Sequence, residues 1–167
     1  IVEAVVAEQF LPVEAIVQMD ADLSHDPGHI EVFTQELASC DVVIGSRYLH
    51  GVSVVNWPIR RLILSYSANL YARWVTGIPL TDITGGFKCF RKEALQKLNL
   101  DSITSQGYAF QIEMNVKSWD AGLKIKVIPV IFVERHAGSS KMSRRIAIEA
   151  AWKVWVLRLR RKPRPKG

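Results

Sequence analysis

The chain has 167 residues, of which 49% are hydrophobic, and this is enough for one domain with a buried core. Its net charge of +6 is uneven, because residues 141–167 contain ten Lys or Arg and one acid, whereas residues 1–140 carry a net charge of −3. A basic region confined to one end argues against a nucleic-acid-binding domain, whose basic side chains should cover the docking face, and indicates a tail that meets an anionic surface.

Strand and helix patterns alternate along the chain, which predicts an α/β domain with a mostly parallel sheet. Gly77 and Gly122 are expected to end the two longest internal helices. In chain order, the predicted elements are a helix over 1–10, a strand over 14–19, a helix over 27–38, a strand over 41–46, a loop over 47–57, a helix over 58–76, a turn over 81–86, a strand over 87–90, helices over 92–97 and 108–121, a strand over 123–133, and a final basic helix.

Two carboxylates follow the first predicted strand directly. Asp20 and Asp22 end an apolar run, and on a strand their spacing places both side chains on one face. Carboxylates together with substrate phosphates are the usual ligands of Mg²⁺ or Mn²⁺, so the pair predicts a metal and diphosphate site. The alternative is that both residues merely cap a turn. Asp26 is expected to cap the next helix, with Pro27 as its first residue.

Four segments in order carry a resemblance to a known family. Met-Asp-Ala-Asp-Leu-Ser-His-Asp-Pro over 19–27 resembles the metal-binding segment of polyprenyl-phosphate (dolichol-phosphate) mannosyltransferases, which are inverting family-two glycosyltransferases. Segments 42–48, 82–88 and 134–141 resemble the same family in the same order. The match runs from about 16 to 146, and it implies the A-type, three-layer, Rossmann-like nucleotide-sugar fold.

The resemblance implies inverting transfer of a sugar to a dolichyl or other polyprenyl phosphate, with mannose from GDP-mannose as the preferred donor. Asp20 and Asp22 are implied as the ligands of Mg²⁺ or Mn²⁺ that hold the donor diphosphate, and Ser24 stands where some relatives have a Gln that completes the metal site. The other residues implied to bind the diphosphate or sugar are Arg47, Gly85, Gly86, Gln111, Glu113, Arg135 and Lys141. Arg61 and Ser65 are implied to bind the acceptor phosphate, and Asp22, Asp82 and Arg135 are implied to be catalytic.

The acceptor's own charge bears on the need for a general base. A lipid phosphate has its second pKa near 6 and is an anion at neutral pH, so it gains little from proton removal. Glu113 is therefore expected to contact a sugar hydroxyl or to be structural. Arg135 and Lys141 lie in a glycine-containing loop that suits a lid over diphosphate. The plainer alternatives are a surface ion pair for Arg47, a solvated helix start for Arg61, and a structural turn for Asp82.

In the resembled family, the first strand and most of the nucleotide-base pocket precede the point at which this chain begins. A βαβ unit takes about 30 residues or more, so the domain is expected to be incomplete at its N-terminus. We divide the chain into a partial glycosyltransferase catalytic domain over 1–143 and a basic amphipathic helix with a tail over 144–167.

The four histidines show no metal-ligand spacing and are expected to be structural. Cys40 and Cys89 are expected to be buried thiols in a reducing compartment.

The C-terminal helix is amphipathic. Its apolar face carries Ile148, Trp152, Trp155 and Leu159, and its polar face carries Arg145, Glu149, Lys153 and Arg160. This pattern predicts peripheral contact with a membrane, and the basic tail would add attraction to anionic lipids. The alternative is a helix packed on its own domain. No apolar run reaches the length of about 20 needed to span a bilayer, so interfacial binding or an anchor subunit is expected, at the cytoplasmic face of the ER or plasma membrane.

Two other functions stay open. One is a related family-two transferase that moves glucose or an amino sugar onto undecaprenyl phosphate, because the matched motifs do not read the sugar. The other is an inactive remnant that binds a membrane or a partner through its basic helix, and the expected loss of the N-terminal part favours it.

Overall fold

The computed structural model of the chain describes residues 14–134 and 144–161, with the side chains of the second range described from 148 onward. The predicted helix over 1–10 lies outside these residues. The elements are β1 (Ala15–Gln18), α1 (His29–Glu36), β2 (Val42–Ser46), β3 (Val54–Val55), α2 (Ile59–Thr76), β4 (Lys88–Arg91), α3 (Lys92–Lys97), a 3₁₀ turn (Leu100–Ser102), α4 (Gly107–Asp120), β5 (Ile125–Pro129), β6 (Phe132–Val133) and α5 (Arg144–Arg160).

Four strands form the main sheet in the order β1-β4-β2-β5. β2 and β5 are parallel, whereas β4 is antiparallel to both β1 and β2. Three of the four strands therefore run in one direction, as the α/β prediction requires, and the reversal of β4 is a feature that the sequence did not indicate. Because β4 runs backwards, it begins at the edge where β1 and β2 end. That edge gathers the candidate site residues.

Helices cover both faces of this sheet. Val42, Ile44 and Phe90 belong to a core with α2, α4 and α5, whereas Val43 and Cys89 belong to a second core with α1. The alternation follows from the period of two along a strand. Every residue of β2 is buried, as is typical of a central strand that is apolar up to its last residue, Ser46. The described residues thus form the predicted three layers.

The long strand predicted over 123–133 is two strands that pair with different partners. β5 pairs with β2 in the main sheet, and β6 pairs in parallel with β3, in a segment predicted to be a loop. Ile131 lies between them and is exposed. A strand that passes from one sheet to another within one apolar run does not change the periodicity of its side chains in a recognisable way. The sequence pattern therefore predicted one strand where the structure has two.

Helix ends agree closely with the prediction except in α1, which is two residues shorter than predicted at each end. Gly77 follows α2 with φ +67°, and Gly122 follows α4 with φ +72°, the left-handed conformation that glycine tolerates. α1 begins at His29, two residues later than predicted. The Asp26 carboxylate accepts the N–H of Gly28 at 2.9 Å, so Asp26 stabilises the turn before the helix and not the helix end itself.

α5 packs on the domain through one side only. Val154 is 1% exposed in the core with α2 and α4, and the guanidinium of Arg161 pairs with Asp120. Ile148, Trp152, Trp155 and Leu159 remain exposed. The helix is therefore packed on its own domain, as the alternative expected, and it still presents apolar side chains to its surroundings. Within the described ranges, every helix falls short of the length and hydropathy that crossing a bilayer demands.

We predict that Gly45→Ala destabilises the fold. A Cβ at this position in β2 would lie 2.9 Å from Val130 Cγ1 and 3.1 Å from Phe33 Cζ, closer than packed atoms tolerate. Overpacking of this kind costs about 1–3 kcal/mol, measurable by urea unfolding. Val52→Ala, at an exposed position, serves as the control. Equal stability of the two variants would mean that Phe33 and Val130 move aside freely.

Candidate active site

A cavity of about 390 Å³ opens at the edge of the sheet where β1 and β2 end and β4 begins. The sheet edge contributes a polar wall, whose members include Asp20, His25, Arg47, Thr84, Gly85 and Gly86. The facing sides of α2, α4 and α5 contribute a mostly apolar wall, whose members include Leu64, Ala68, Ala72, Ile112 and Val154. The cavity can therefore receive a ligand that is charged at one end and apolar at the other.

The residues 20–26, which we call the carboxylate turn, follow β1. Asp20 is exposed and lines the cavity, and Asp22 is half-buried and accepts the Ser24 N–H at 3.1 Å. His25 Nδ1 accepts the backbone N–H of Asp20 at 3.1 Å, and its ring stacks on Phe87 at 4.7 Å. Burial lowers the pKa of His25, and the negative charges of Asp20 and Asp22 only partly offset this. The buried, neutral ring thus fixes the start of the turn.

The donor set of this turn fits a hard divalent cation. Two carboxylates supply oxygen ligands of the type that Mg²⁺ and Mn²⁺ prefer, and Asp20 lies open to the cavity. The Ser24 hydroxyl is buried with no hydrogen-bond partner. Across the described parts of the chain, no three His, Cys, Asp or Glu side chains are arranged to hold a metal. Substrate phosphate and water would therefore have to complete the shell.

Arg47 and Asp82 form a buried ion pair, which we call the Arg47–Asp82 pair. Arg47 Nε donates to Asp82 Oδ2 at 2.7 Å, Nη2 donates to Oδ1 at 2.9 Å, and the Arg47 backbone N–H donates to Oδ2 at 3.1 Å. Burial by itself would raise the pKa of Asp82, but the charge and hydrogen bonds of Arg47 outweigh it and hold this pKa below its usual range. Arg47 also lines the cavity.

The structure does not place Asp82 where a sugar could touch it. Its side chain is fully buried, and both of its oxygens accept hydrogen bonds from Arg47 or Thr84. Asp82 therefore positions Arg47 and Thr84, and the predicted sugar contact and catalytic role are corrected. The sequence pattern indicated that Asp82 lies in a polar turn. It did not indicate that Asp82 pairs with Arg47, which follows a distant strand.

The two glycines that follow Asp82 differ in their surroundings. A Cβ on Gly85 would lie 3.3 Å from the Asp82 carboxyl carbon and 3.3 Å from the carbonyl oxygen of Gly45, so Gly85 lets the turn pack closely on β2. A Cβ on Gly86 would lie 3.5 Å from Asp20 Oδ1 and 3.6 Å from Gln111 Nε2. Gly86 is therefore the glycine at which backbone and ligand can come close.

Lys88 and Gln111 lie next to Gly86, and Glu113 lies further along α4. Lys88 is 0% exposed, and its Nζ donates to Gln111 Oε1 at 2.6 Å and to the Gln111 carbonyl oxygen at 3.2 Å. Burial lowers the pKa of Lys88 to about 7, although Asp82 and Asp20 favour its charged form. Glu113 is buried, accepts the Ser105 N–H at 3.0 Å and lies 3.6 Å from the Lys117 ammonium. These contacts make Glu113 a structural residue and not the sugar contact.

Arg61 and Ser65, the predicted acceptor residues, line the cavity from α2. The Arg61 guanidinium pairs with Glu134 and lies 4.1 Å from the centre of the Trp57 ring. The Ser65 hydroxyl lies 2.9 Å from the Tyr48 hydroxyl. Arg61 is therefore held against the cavity by a carboxylate that a phosphate could replace. Arg135 and Lys141 lie outside the described residues.

Sequence reasoning missed three residues of this site. His25 was expected to be only structural, and the roles of Trp57 and Lys88 were not considered. The signals for them were weak, since one is a histidine three residues after an Asp-x-Asp pair, one is a tryptophan in a predicted loop, and one is a lysine in a predicted strand that is otherwise apolar. Of these, the lysine was the most informative, because a Lys within a buried strand needs a partner.

One family model, described as glycosyl transferase family 2, matches residues 12–99, slightly more than half of the chain. The chain is 41% identical to the undecaprenyl-phosphate mannosyltransferase of Micrococcus luteus over 149 residues, which covers 88% of this chain and 61% of that protein. It is 42% identical to the polyprenol monophosphomannose synthase of Mycolicibacterium smegmatis over 146 residues, covering 86% and 55%. The chain thus spans somewhat more than half the length of these relatives.

Solved structures with a similar fold include glucosyl-3-phosphoglycerate synthase from Mycobacterium tuberculosis. The complex with phosphoglyceric acid superposes with a TM-score of 0.60, and the UDP complex with a TM-score of 0.56. Each is 14% identical and covers 88% of this chain and 50% of the other. At this identity the likeness concerns the fold alone, and it confirms the predicted fold class.

Asp82→Asn is expected to destabilise the protein by about 3–5 kcal/mol, because Arg47 is left buried without its counter-charge. The pKa of Asp82 is lower in the folded protein than in the unfolded chain, so its charge stabilises the fold at neutral pH. This stabilisation is lost as the pH falls below the ordinary carboxyl pKa of about 4 and then through the pKa of the folded state. Urea unfolding at pH 7 measures the loss, with the exposed Asp101→Asn as control. A loss no larger than that of the control would contradict the structural role of the pair.

Proposed function

This chain belongs to glycosyltransferase family 2, and we propose that the whole protein transfers mannose from GDP-mannose to a polyprenyl phosphate with inversion. The observation that carries the proposal is the cavity, which joins a carboxylate turn to an apolar wall on α2, α4 and α5. The carboxylate turn suits a nucleotide-sugar, and the apolar wall suits the chain of a lipid phosphate. The names of the two relatives, which concern undecaprenyl phosphate and polyprenol monophosphomannose, support this choice of acceptor and sugar.

Asp20 and Asp22 would hold the Mg²⁺ or Mn²⁺ that this family commonly uses. When bound, such a cation stabilises the negative charge that develops on the departing nucleoside diphosphate. His25 keeps the turn in place through its bond to the Asp20 N–H. Asp22 thereby contributes to catalysis through binding of the leaving group and not through proton transfer.

The reaction proposed is a direct displacement at the anomeric carbon. An oxygen of the acceptor phosphate forms a bond to this carbon on the face opposite the diphosphate. The bond between the carbon and the diphosphate breaks, and the departing nucleoside diphosphate keeps the electron pair. The acceptor is already an anion at neutral pH, so no protein group has to remove a proton. The buried position of Glu113 agrees with a reaction without a general base.

Basic residues would bind the phosphates at both ends of the cavity. Arg47, held by Asp82, faces the donor side, and we propose that Gly86 and Gln111 complete that side. Arg61 would exchange Glu134 for the acceptor phosphate, with Ser65 beside it. Arg135 and Lys141, which lie outside the described residues, are proposed to bind the diphosphate.

Two rows of exposed apolar side chains support peripheral contact with a membrane. On α2 the row is Ile59, Ile63, Tyr66, Leu70 and Trp74, and on α5 it is Ile148, Trp152, Trp155 and Leu159. The rows meet where the rings of Trp74 and Trp155 touch edge to face, 6.2 Å apart. Exposed Arg158 and Arg160 add positive charge. We propose that these rows lie in the interface of the membrane that holds the lipid acceptor, with or without an anchor subunit.

Cys40 and Cys89 are buried free thiols, as expected for a reducing compartment. They support a position at the cytoplasmic face of the membrane. Together with the interfacial rows, this supports a reaction at a surface where a nucleotide-sugar from solution and a lipid phosphate can both reach the cavity.

The function is tested by transfer of labelled mannose from GDP-mannose to polyprenyl phosphate by the whole protein. We expect transfer with Mn²⁺ or Mg²⁺, loss on chelation, and a fall of about 100-fold or more in Asp20→Asn and Asp22→Asn, because each variant removes a charge that binds the leaving group. Asp26→Asn, in the same turn, is the matched control and should stay active.

Unchanged transfer by Asp20→Asn would contradict the metal assignment. UDP-glucose and an amino-sugar nucleotide, tested with the same acceptors, separate the mannosyltransferase from the related transferases. Efficient transfer from one of these donors, with none from GDP-mannose, would overturn the proposed donor.

Membrane contact is tested by co-sedimentation of the whole protein with anionic vesicles. Trp74→Ser with Trp152→Ser should weaken partitioning by about 10-fold or more, because each change removes a large apolar side chain from the interface. Leu100→Ser, which also removes an exposed apolar side chain but lies outside both rows, should leave partitioning unchanged. Equal partitioning of both variants would place the membrane contact elsewhere.

A further inference from the structure

Lys88 is a charged residue for which the fold offers no sufficient reason. It opens β4 between β1 and β2, opposite Gln18 and Ile44, and its side chain is 0% exposed. Burial lowers its pKa to about 7, which means that keeping the ammonium charged in this position opposes folding. An apolar side chain of similar length would satisfy the core, so the lysine calls for a role beyond packing.

The contacts of Lys88 determine the direction of one amide. Lys88 Nζ donates to the Gln111 amide oxygen, Oε1, at 2.6 Å, so the oxygen of this amide faces the lysine. The second bond, to the Gln111 carbonyl oxygen at 3.2 Å, holds Nζ against the backbone of α4 at the same residue. The Gln111 NH₂ group is thereby turned away from the lysine.

The NH₂ group lies beside Gly86, a residue that lines the cavity. Gln111 Nε2 and Asp20 Oδ1 lie 3.6 Å and 3.5 Å from the same point, the position where a Cβ on Gly86 would be. Asp20 and Gly86 both line the cavity. An ionised carboxylate can only accept hydrogen bonds. Next to Gly86, Gln111 therefore provides a hydrogen-bond donor and Asp20 provides an acceptor.

We propose that Lys88 is a positioning residue for the sugar donor, which holds Gln111 Oε1 so that the Gln111 NH₂ group donates to an oxygen of the bound nucleotide-sugar beside Gly86. The oxygen belongs either to a sugar hydroxyl or to the diphosphate, because both are acceptors of the required kind. The inference rests on the proposed function, since it takes a nucleotide-sugar as the ligand beside Gly86. Lys88 itself touches no substrate, and its effect passes through Gln111.

The test is a cycle of variants in the whole protein, made of Lys88→Met, Gln111→Met and the double variant. Methionine keeps much of the length and volume of both side chains but removes the ammonium donor and the amide. Lys97→Met, at an exposed position in α3, is the matched control. Titration calorimetry with Mn²⁺ measures the affinity for GDP-mannose and for GDP, and thermal unfolding measures stability.

We expect Lys88→Met to bind GDP-mannose about 10-fold more weakly than the wild type, which corresponds to the loss of one well-formed hydrogen bond to the donor. Its melting temperature should be equal or higher, because a costly buried charge is gone. Gln111→Met should show a similar loss of affinity, and the double variant should be no worse than the weaker single variant, since both act through one contact. A loss for GDP-mannose alone assigns the contact to the sugar, and a loss for both ligands assigns it to the diphosphate.

Wild-type affinity in Lys88→Met, or losses that multiply in the double variant, would overturn the proposal. So would a weakened affinity that is matched by a lower melting temperature, because a lysine that only supports the fold would give that pattern. A wild type that transfers mannose while Lys88→Met is unaffected refutes the inference alone. A wild type that binds neither ligand refutes the proposed donor, and the inference with it.

Discussion

The Arg47–Asp82 pair is the contact on which the arrangement of the site depends. It joins the residue that follows β2 to the turn that precedes β4, through two of the three guanidinium nitrogens and through the Arg47 backbone N–H. Gly85 then fits between Asp82 and the carbonyl of Gly45, where a Cβ would be crowded. Because β4 runs opposite to its neighbours, this one contact fixes the turn against the ends of the parallel strands. Gly86 is thereby brought beside Asp20.

The division of the cavity into a polar and an apolar wall follows from the layers of the fold. The sheet edge exposes strand ends and turns, which carry carboxylates, glycines and arginine. The helices α2, α4 and α5, which form the layer on one face of the sheet, line the cavity mainly with small and apolar side chains. Arg61 lies where the two walls meet, stacked near Trp57 and paired with Glu134. A lipid phosphate has the same division, with a charged head and an apolar chain. The two-part shape of the proposed acceptor therefore agrees with the layering of the domain.

Local patterns were sufficient to predict most elements and the approximate position of the site. Helix ends at Gly77 and Gly122 depend on the conformations that glycine allows within a few residues, so they can be read from the sequence. The reversed direction of β4, the pairing of β3 with β6, and the burial of Asp82 against Arg47 depend on contacts between distant parts of the chain. Such contacts leave no periodic signal. The sequence therefore located the carboxylate and glycine turns correctly but could not say which charged residues face the ligand and which support it.

The distribution of buried charge argues that the site and the core were not optimised for the same purpose. Among the described residues, the buried Lys, Arg, Asp and Glu side chains are those of Arg47, Asp82, Lys88 and Glu113. The first two pair with each other, the third holds Gln111, and the fourth lies two residues further along the same helix. Stability alone would favour apolar side chains at such positions. The concentration of Arg47, Asp82 and Lys88 behind one edge of the sheet is what is expected if the domain sacrifices stability there to hold hydrogen-bonding groups in fixed directions around a charged ligand.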